Sequence, residues 1–202
     1  MRRLLILSLN GDPLGDLGTE HAGGQCRYIL EVGKRLVLHD WAIKVFTVQN
    51  PGRATRQEIT LDFDVLRVPL QNGAPYDPET TYAQLDDVDQ HIMDALVREP
   101  APDVILGCYW LSALVGLRIA ARLQRRLVVS FTSLGAYKRV TGMSPFMDLR
   151  LESERRIVRE ADHVIATNHD EAALLLSFYG IEERKLSIIP RGIDLDVFRP
   201  AR

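Results

Sequence analysis

Cysteine is scarce: Cys26 and Cys108 are the only two in 202 residues. They are too few and too far apart for a disulfide framework or a Cys-x-x-Cys zinc site, and they fit reduced thiols in a cytoplasmic protein. The five histidines (His21, His39, His91, His163, His169) show no ligand spacing, so no metal is expected. No apolar run approaches the ~20 residues of a membrane span. The run that opens the chain is broken by Asn10-Gly11-Asp12-Pro13 with no small-residue cleavage site, which reads as a first strand rather than a signal peptide. With a formal net charge of −2, the chain lacks the basic excess that marks nucleic-acid binders. Internal repeats and low-complexity stretches are also missing.

What is present is an ordinary globular composition, 46% hydrophobic and 26% charged, long enough for one well-buried α/β domain. Short runs rich in Val, Ile and Leu, at 3–9, 43–48, 64–69, 103–107, 127–131, 163–167 and 186–189, lack polar alternation and read as strands buried on both faces. Helical patterns fill 24–38, 82–98, 111–123, 147–160 and 170–179; the second carries Leu85, Val88, Ile92, Met93 and Leu96 on one stripe and stops at Pro100. This alternation predicts a Rossmann-like, doubly wound parallel sheet of about seven strands. Ligands of such sheets sit beyond the carboxyl ends of the strands, so the loops to read are 10–23, 70–80, 108–110, 132–146 and 168–169.

The first of these loops ends in Gly23-Gly24-Gln25 at a helix start, where free N–H groups favour an anion and glycine lets a ligand approach the backbone. The spacing matches neither the dinucleotide nor the Walker glycine pattern. By itself the pair fits a tight turn equally well. The whole stretch from Asp12-Pro13-Leu14 through Leu17-Gly18-Thr19 to Ala22-Gly23-Gly24-Gln25 resembles the opening of family-4 glycosyltransferases of the sucrose-phosphate synthase, sucrose synthase and inositol-phosphate glycosyltransferase branch. The resemblance continues in order through Pro102-Asp103-Val104-Ile105 with Tyr109-Trp110, and through Phe131-Thr132-Ser133-Leu134-Gly135-Ala136-Tyr137-Lys138-Arg139. Arg150 with Glu154, Ala161 to Thr167, and Ile188-Ile189-Pro190-Arg191-Gly192-Ile193-Asp194 to Pro200 complete it.

The resemblance implies one half of a GT-B fold, with residues 1–195 as the acceptor-side domain and 196–202 as the start of an interdomain linker. The activity it implies is retaining transfer from a nucleotide-diphosphate sugar, with no further cofactor. Activity would require a donor-binding domain in cis or in trans. Gly23 and Gly24 would lie against the donor diphosphate, and Gln25, Tyr109, Ser133, Lys138 and Arg150 would hold a sugar or sugar-phosphate acceptor. Each has a plainer alternative. Arg150 pairs with Glu154 on an exposed helix face, Lys138 is a solvated loop charge, Tyr109-Trp110 are core aromatics, or Ser133 caps a turn.

Four positions depart from the family pattern. Thr132 and Cys108 stand where histidines are expected, a lysine is missing near Pro78–Thr81, and Glu152 replaces an arginine. Threonine cannot titrate near neutral pH as imidazole does, so Thr132 leaves the catalytic residue unassigned by the motif. The lost cations imply an acceptor that is unphosphorylated or weakly held. A non-catalytic sugar- or nucleotide-binding module is the alternative function. Arg118, Arg122, Arg125 and Arg126 either complement a helix dipole or face a membrane surface.

Overall fold

Arg2–Leu7 forms β1, and its Leu4-Leu5-Ile6-Leu7 run is buried throughout because both faces of the strand are covered. The computed structural model describes residues 1–15, 23–48, 53–71, 76–138 and 145–193. The 16–22 part of the first loop, Arg139 and the expected linker lie outside the described residues. So does the side chain of Lys138.

From β1 the chain passes through α1 (Gly24–Val37) to β2 (Trp41–Val48), then to the hairpin of β3 (Arg56–Thr60) and β4 (Phe63–Val68). It returns by α2 (Pro78–Ala83) and α3 (Leu85–Leu96) to β5 (Val104–Cys108). It continues through α4 (Trp110–Leu123), β6 (Arg126–Ser130), α5 (Gly135–Lys138), α6 (Pro145–Glu160), β7 (His163–Ala166), α7 (His169–Ser177) and β8 (Leu186–Ile188). Among the described residues these strands make one eight-stranded sheet in the order β3-β4-β2-β1-β5-β6-β7-β8. All neighbours are parallel except β3, which runs antiparallel to β4. The expected doubly wound architecture is therefore observed, with β3 as an added edge strand.

The order of strands reverses between β1 and β5, which opens a crevice at their carboxyl ends. On one face α1 packs on β2 and β4, burying Ile29, Leu30, Ile43, Val45 and Phe63. Gly33 of α1 is required there, since a Cβ would meet the Phe63 ring at 2.5 Å. On the other face α3, α4 and α6 cover the larger core around Trp110, Leu111, Ile119, Val129 and Ile157.

The helix expected over 82–98 is two helices. Asp77 caps the first by accepting from the Thr80 N–H at 2.8 Å, Pro78 occupies its first turn, and the chain bends at Gln84 (φ −111°, ψ 14°). The four arginines singled out between positions 118 and 126 divide. Arg126 begins β6, Arg118 pairs with Asp86, and Arg122 binds Asp89 at 2.9 Å. Arg125 donates to the Pro102 carbonyl at 2.8 Å. Among the described residues no helix is long and apolar enough to cross a membrane.

Candidate functional site at the topological switch

The crevice is built from three chain turns that leave β1, β5 and β6. After β1, Ser8 and Asn10 face the first turn of α1, which begins at Gly24 as expected. Gly23 caps α1 without a side-chain hydrogen bond and no acidic residue lies in the first helical turn, so its leading N–H groups keep their affinity for an anion. Gln25 in that turn exchanges two hydrogen bonds with Asn10, giving through Nε2 at 2.8 Å and accepting at Oε1 at 3.1 Å. The base of the loop is held by Asp12. It accepts from Arg67 Nε at 2.7 Å and Nη2 at 3.3 Å and from the Leu14 N–H at 2.8 Å, and both charged side chains are fully buried. Arg67 also donates to the Ala54 carbonyl at 2.7 Å.

After β5, Tyr109 turns the chain directly into α4, donating its N–H to the Ser130 carbonyl while its own carbonyl accepts from Ala113. That sharp turn puts Tyr109 at φ 76°, ψ 159°, a region glycine alone occupies easily. Thr132, after β6, is also left-handed at φ 59°. Two strained non-glycine residues at the carboxyl ends of adjacent strands mark this crevice as a place where backbone direction matters more than local comfort. Thr132 Oγ1 donates to Gln25 Oε1 at 2.8 Å, closing a bridge across the switch between residues 107 positions apart.

The Ser133–Gly135 turn is secured from below. Arg150 donates through Nη2 to the Ser133 carbonyl at 2.6 Å and through Nε to Glu154 at 2.8 Å, and its guanidinium lies 5.0 Å from the centre of the Tyr109 ring. Glu154 accepts the Gly135 N–H with both oxygens, at 3.0 and 2.9 Å, and also the Tyr179 hydroxyl. Burial and the Glu154 charge push the Tyr179 phenol well above its ordinary range, so it remains a donor. The expectation of an exposed Arg150–Glu154 pair is corrected in one respect: the pair exists but both residues are buried. Glu152, which stands where the family pattern has an arginine, lines a groove between α6, α4 and the α2–α3 bend with Asp86, Arg118, Arg155 and Arg156, away from the Arg150 side chain. Two residues along a helix point to nearly opposite sides, which is the reason.

Of the residues singled out, Gly23, Gly24, Gln25, Tyr109, Thr132 and Ser133 border the crevice, and Arg150 lies beneath Ser133 and Tyr109. Lys138 ends α5 in the same loop region. Trp110 is core, packed against Tyr82 and Phe146. Cys108, at the end of β5, is buried in the core shared with β1 and α1, and burial pushes its thiol up to about 12, offset in part by Arg191. Arg191 was missed. It folds back from the segment after β8 to lie over Tyr28, 5.5 Å from its ring centre, and 3.5 Å from where a Cβ on Gly24 would sit. Its place in the Pro190-Arg191-Gly192 motif was the available signal. Asn10, Arg67 and Tyr179 carried no motif of their own.

The doubly wound parallel sheet, with the motif residues at its β1–β5 switch, has the architecture of one Rossmann-like half of a GT-B fold. The chain belongs to the glycosyl transferase 4-like domain family, whose model matches residues 23–192. It is 32% identical to D-inositol 3-phosphate glycosyltransferase of Nocardiopsis dassonvillei over 212 residues, covering 98% of this chain and 48% of the relative. The Streptomyces avermitilis enzyme of the same name is 33% identical over 99% of this chain and 44% of its own length. The chain thus spans about half the length of these curated relatives. Among solved structures, sucrose-phosphate synthase from Thermosynechococcus elongatus superposes with a TM-score of 0.89 at 25% identity, over all of this chain and 51% of that one. Starch synthase IV from Arabidopsis thaliana, bound to ADP and acarbose, shares the fold with a TM-score of 0.62 at 13% identity, over all of this chain and 53% of that one.

Proposed function

We propose that this chain is the acceptor-side half of a retaining glycosyltransferase. In this reading it holds a cyclic polyol or sugar while a nucleotide-diphosphate sugar, bound mainly by a second domain, donates to it. The observation that carries the reading is the convergence of Gly23, Gly24, Tyr109, Thr132 and Ser133 on one crevice. Gly23 and Gly24 take the donor diphosphate, aided by the uncapped start of α1. Tyr109, Ser133, Lys138 and Arg150 serve the acceptor, with Gln25 at the floor. Neutral hydroxyl donors suit the ring hydroxyls of a polyol.

Phosphate on the acceptor is bound weakly in this proposal. Arg150 is already committed to Glu154, the Ser133 carbonyl and the Tyr109 ring, so its charge is largely compensated inside the chain. The relatives' names make inositol phosphate the natural probe. Calorimetric titration with myo-inositol, D-inositol 3-phosphate and fructose 6-phosphate is expected to show inositol binding with less than a tenfold gain from the phosphate, under about 1.4 kcal/mol. Tight binding of either phosphate that vanishes in Arg150→Met would contradict the weak-phosphate reading. Binding of nucleotide alone, with no affinity for any of the three acceptors, would instead favour a binding module.

A further inference from the structure

The amide of Gln25 offers two N–H donors and an oxygen with two lone pairs, and the chain itself occupies all four. Nε2 donates to Asn10 Oδ1 at 2.8 Å and to Ser8 Oγ at 3.3 Å, while Oε1 accepts from Asn10 Nδ2 at 3.1 Å and from Thr132 Oγ1 at 2.8 Å. The direction of the network follows from its far end. Ser8 gives its hydroxyl proton to the Gly11 carbonyl at 2.8 Å, so it presents a lone pair, and only the NH₂ side of Gln25 satisfies it. The oxygen of Gln25 must then face Thr132, and Thr132 must be the donor.

Thr132 is a β-branched residue held at φ 59°, where its own side chain disfavours the backbone. Its hydroxyl bond to Gln25 tethers that conformation from the α1 side. From the opposite side, Arg150 holds the Ser133 carbonyl and Glu154 holds the Gly135 N–H. We infer that Gln25 is a positioning residue. It keeps Thr132 left-handed, and so sets the direction in which Ser133 leaves β6, instead of holding the acceptor with its own amide. The functional part rests on the acceptor reading above; the geometric part does not.

The test joins a structure to a double-mutant cycle. Crystal structures of Gln25→Met, which keeps the length but removes all four hydrogen bonds, are expected to show Thr132 out of the left-handed region and Ser133 displaced. Thr132→Val, which removes only the hydroxyl that Gln25 holds, is expected to move residue 132 and Ser133 in the same way, and it serves if the Met variant does not fold. Residue 132 still left-handed in either variant overturns the inference. In calorimetric titration with myo-inositol, Gln25→Met and Thr132→Val are each expected to weaken binding about tenfold, and the double variant no more than either alone. Thr132→Ser, which keeps the hydroxyl bond to Gln25, is expected to recover most of the affinity that Thr132→Val loses. Additive losses would mean that Gln25 touches the ligand directly and would overturn the inference. If wild type binds no acceptor while Gln25→Met still releases Thr132, the positioning role stands and the acceptor reading fails.

Discussion

Asp12 opens the motif-bearing loop, yet its carboxylate faces away from ligand chemistry and into a fully buried pair with Arg67. Two charges out of water contribute little net stability, but removing one of them strands the other. Asp12→Ala is therefore expected to lower unfolding free energy by about 3–5 kcal/mol, read from urea denaturation, whereas an apolar replacement of both partners costs far less. Cys108 makes a second residue-scale prediction. Burial raises its thiol to about 12 from an ordinary value of 9.0, so the folded state binds the proton more tightly than the unfolded state. The resulting stability is complete below pH 9 and is lost as pH rises from there toward 12. Denaturation midpoints at pH 8 and about pH 10.5 should fall further apart in wild type than in Cys108→Ala; an equal fall in both would refute the assignment. The same burial predicts slow reaction of Cys108 with thiol reagents at neutral pH, because the thiolate is the nucleophile.

The crevice exists because α4 starts immediately after β5 and lies close against it. Gly107 permits this: a Cβ there would stand 2.9 Å from the Ala113 Cα, a backbone atom that cannot swing away. Gly107→Ala should push α4 off the sheet and cost about 1–3 kcal/mol, measurable as a lowered thermal midpoint. At this scale the sequence was legible wherever burial is two-sided. The buried positions of β1, β5 and β6 are apolar apart from Gly107 and Ser130, and each expected strand was found. Three elements escaped for identifiable reasons. Strand β3 reads Arg-Gln-Glu-Ile-Thr because an edge strand with exposed faces needs no apolar pattern. Helix α2 hides behind the turn-like Asp77-Pro78, which is a cap and first-turn signature as much as a loop signature. Helix α5 is a single turn whose leading N–H groups are satisfied by Glu154 and Tyr179, 19 and 43 residues away, a stabilisation invisible to local propensity.

On the scale of the whole molecule, the motifs located the crevice but not how its side chains are employed. Gly23, Tyr109 and Thr132 stood out by pattern; that Gln25 and Arg150 are hydrogen-bonded within the chain depends on Asn10, Ser8, Glu154 and Tyr179, which pattern alone does not connect. The same view bears on activity. A departing nucleoside diphosphate needs several preorganised positive groups. At the Gly24 turn the described residues place the start of α1 and the guanidinium of Arg191. A helix terminus and one exposed cation contribute on the order of 1 kcal/mol each in contact with water, far short of the 8 kcal/mol or more by which enzymes lower a barrier. We therefore expect no measurable transfer from a nucleotide sugar to inositol or its phosphate by this chain alone. We expect transfer on mixing it with the carboxy-terminal half of the Nocardiopsis dassonvillei relative, whose length this chain covers to 48%. Arg191→Gln should then lower kcat/KM about three- to tenfold, with the larger loss at low salt, because an exposed charge acts through screened electrostatics. Radiolabelled sugar transfer measures all three expectations, and turnover by the isolated chain would overturn the first.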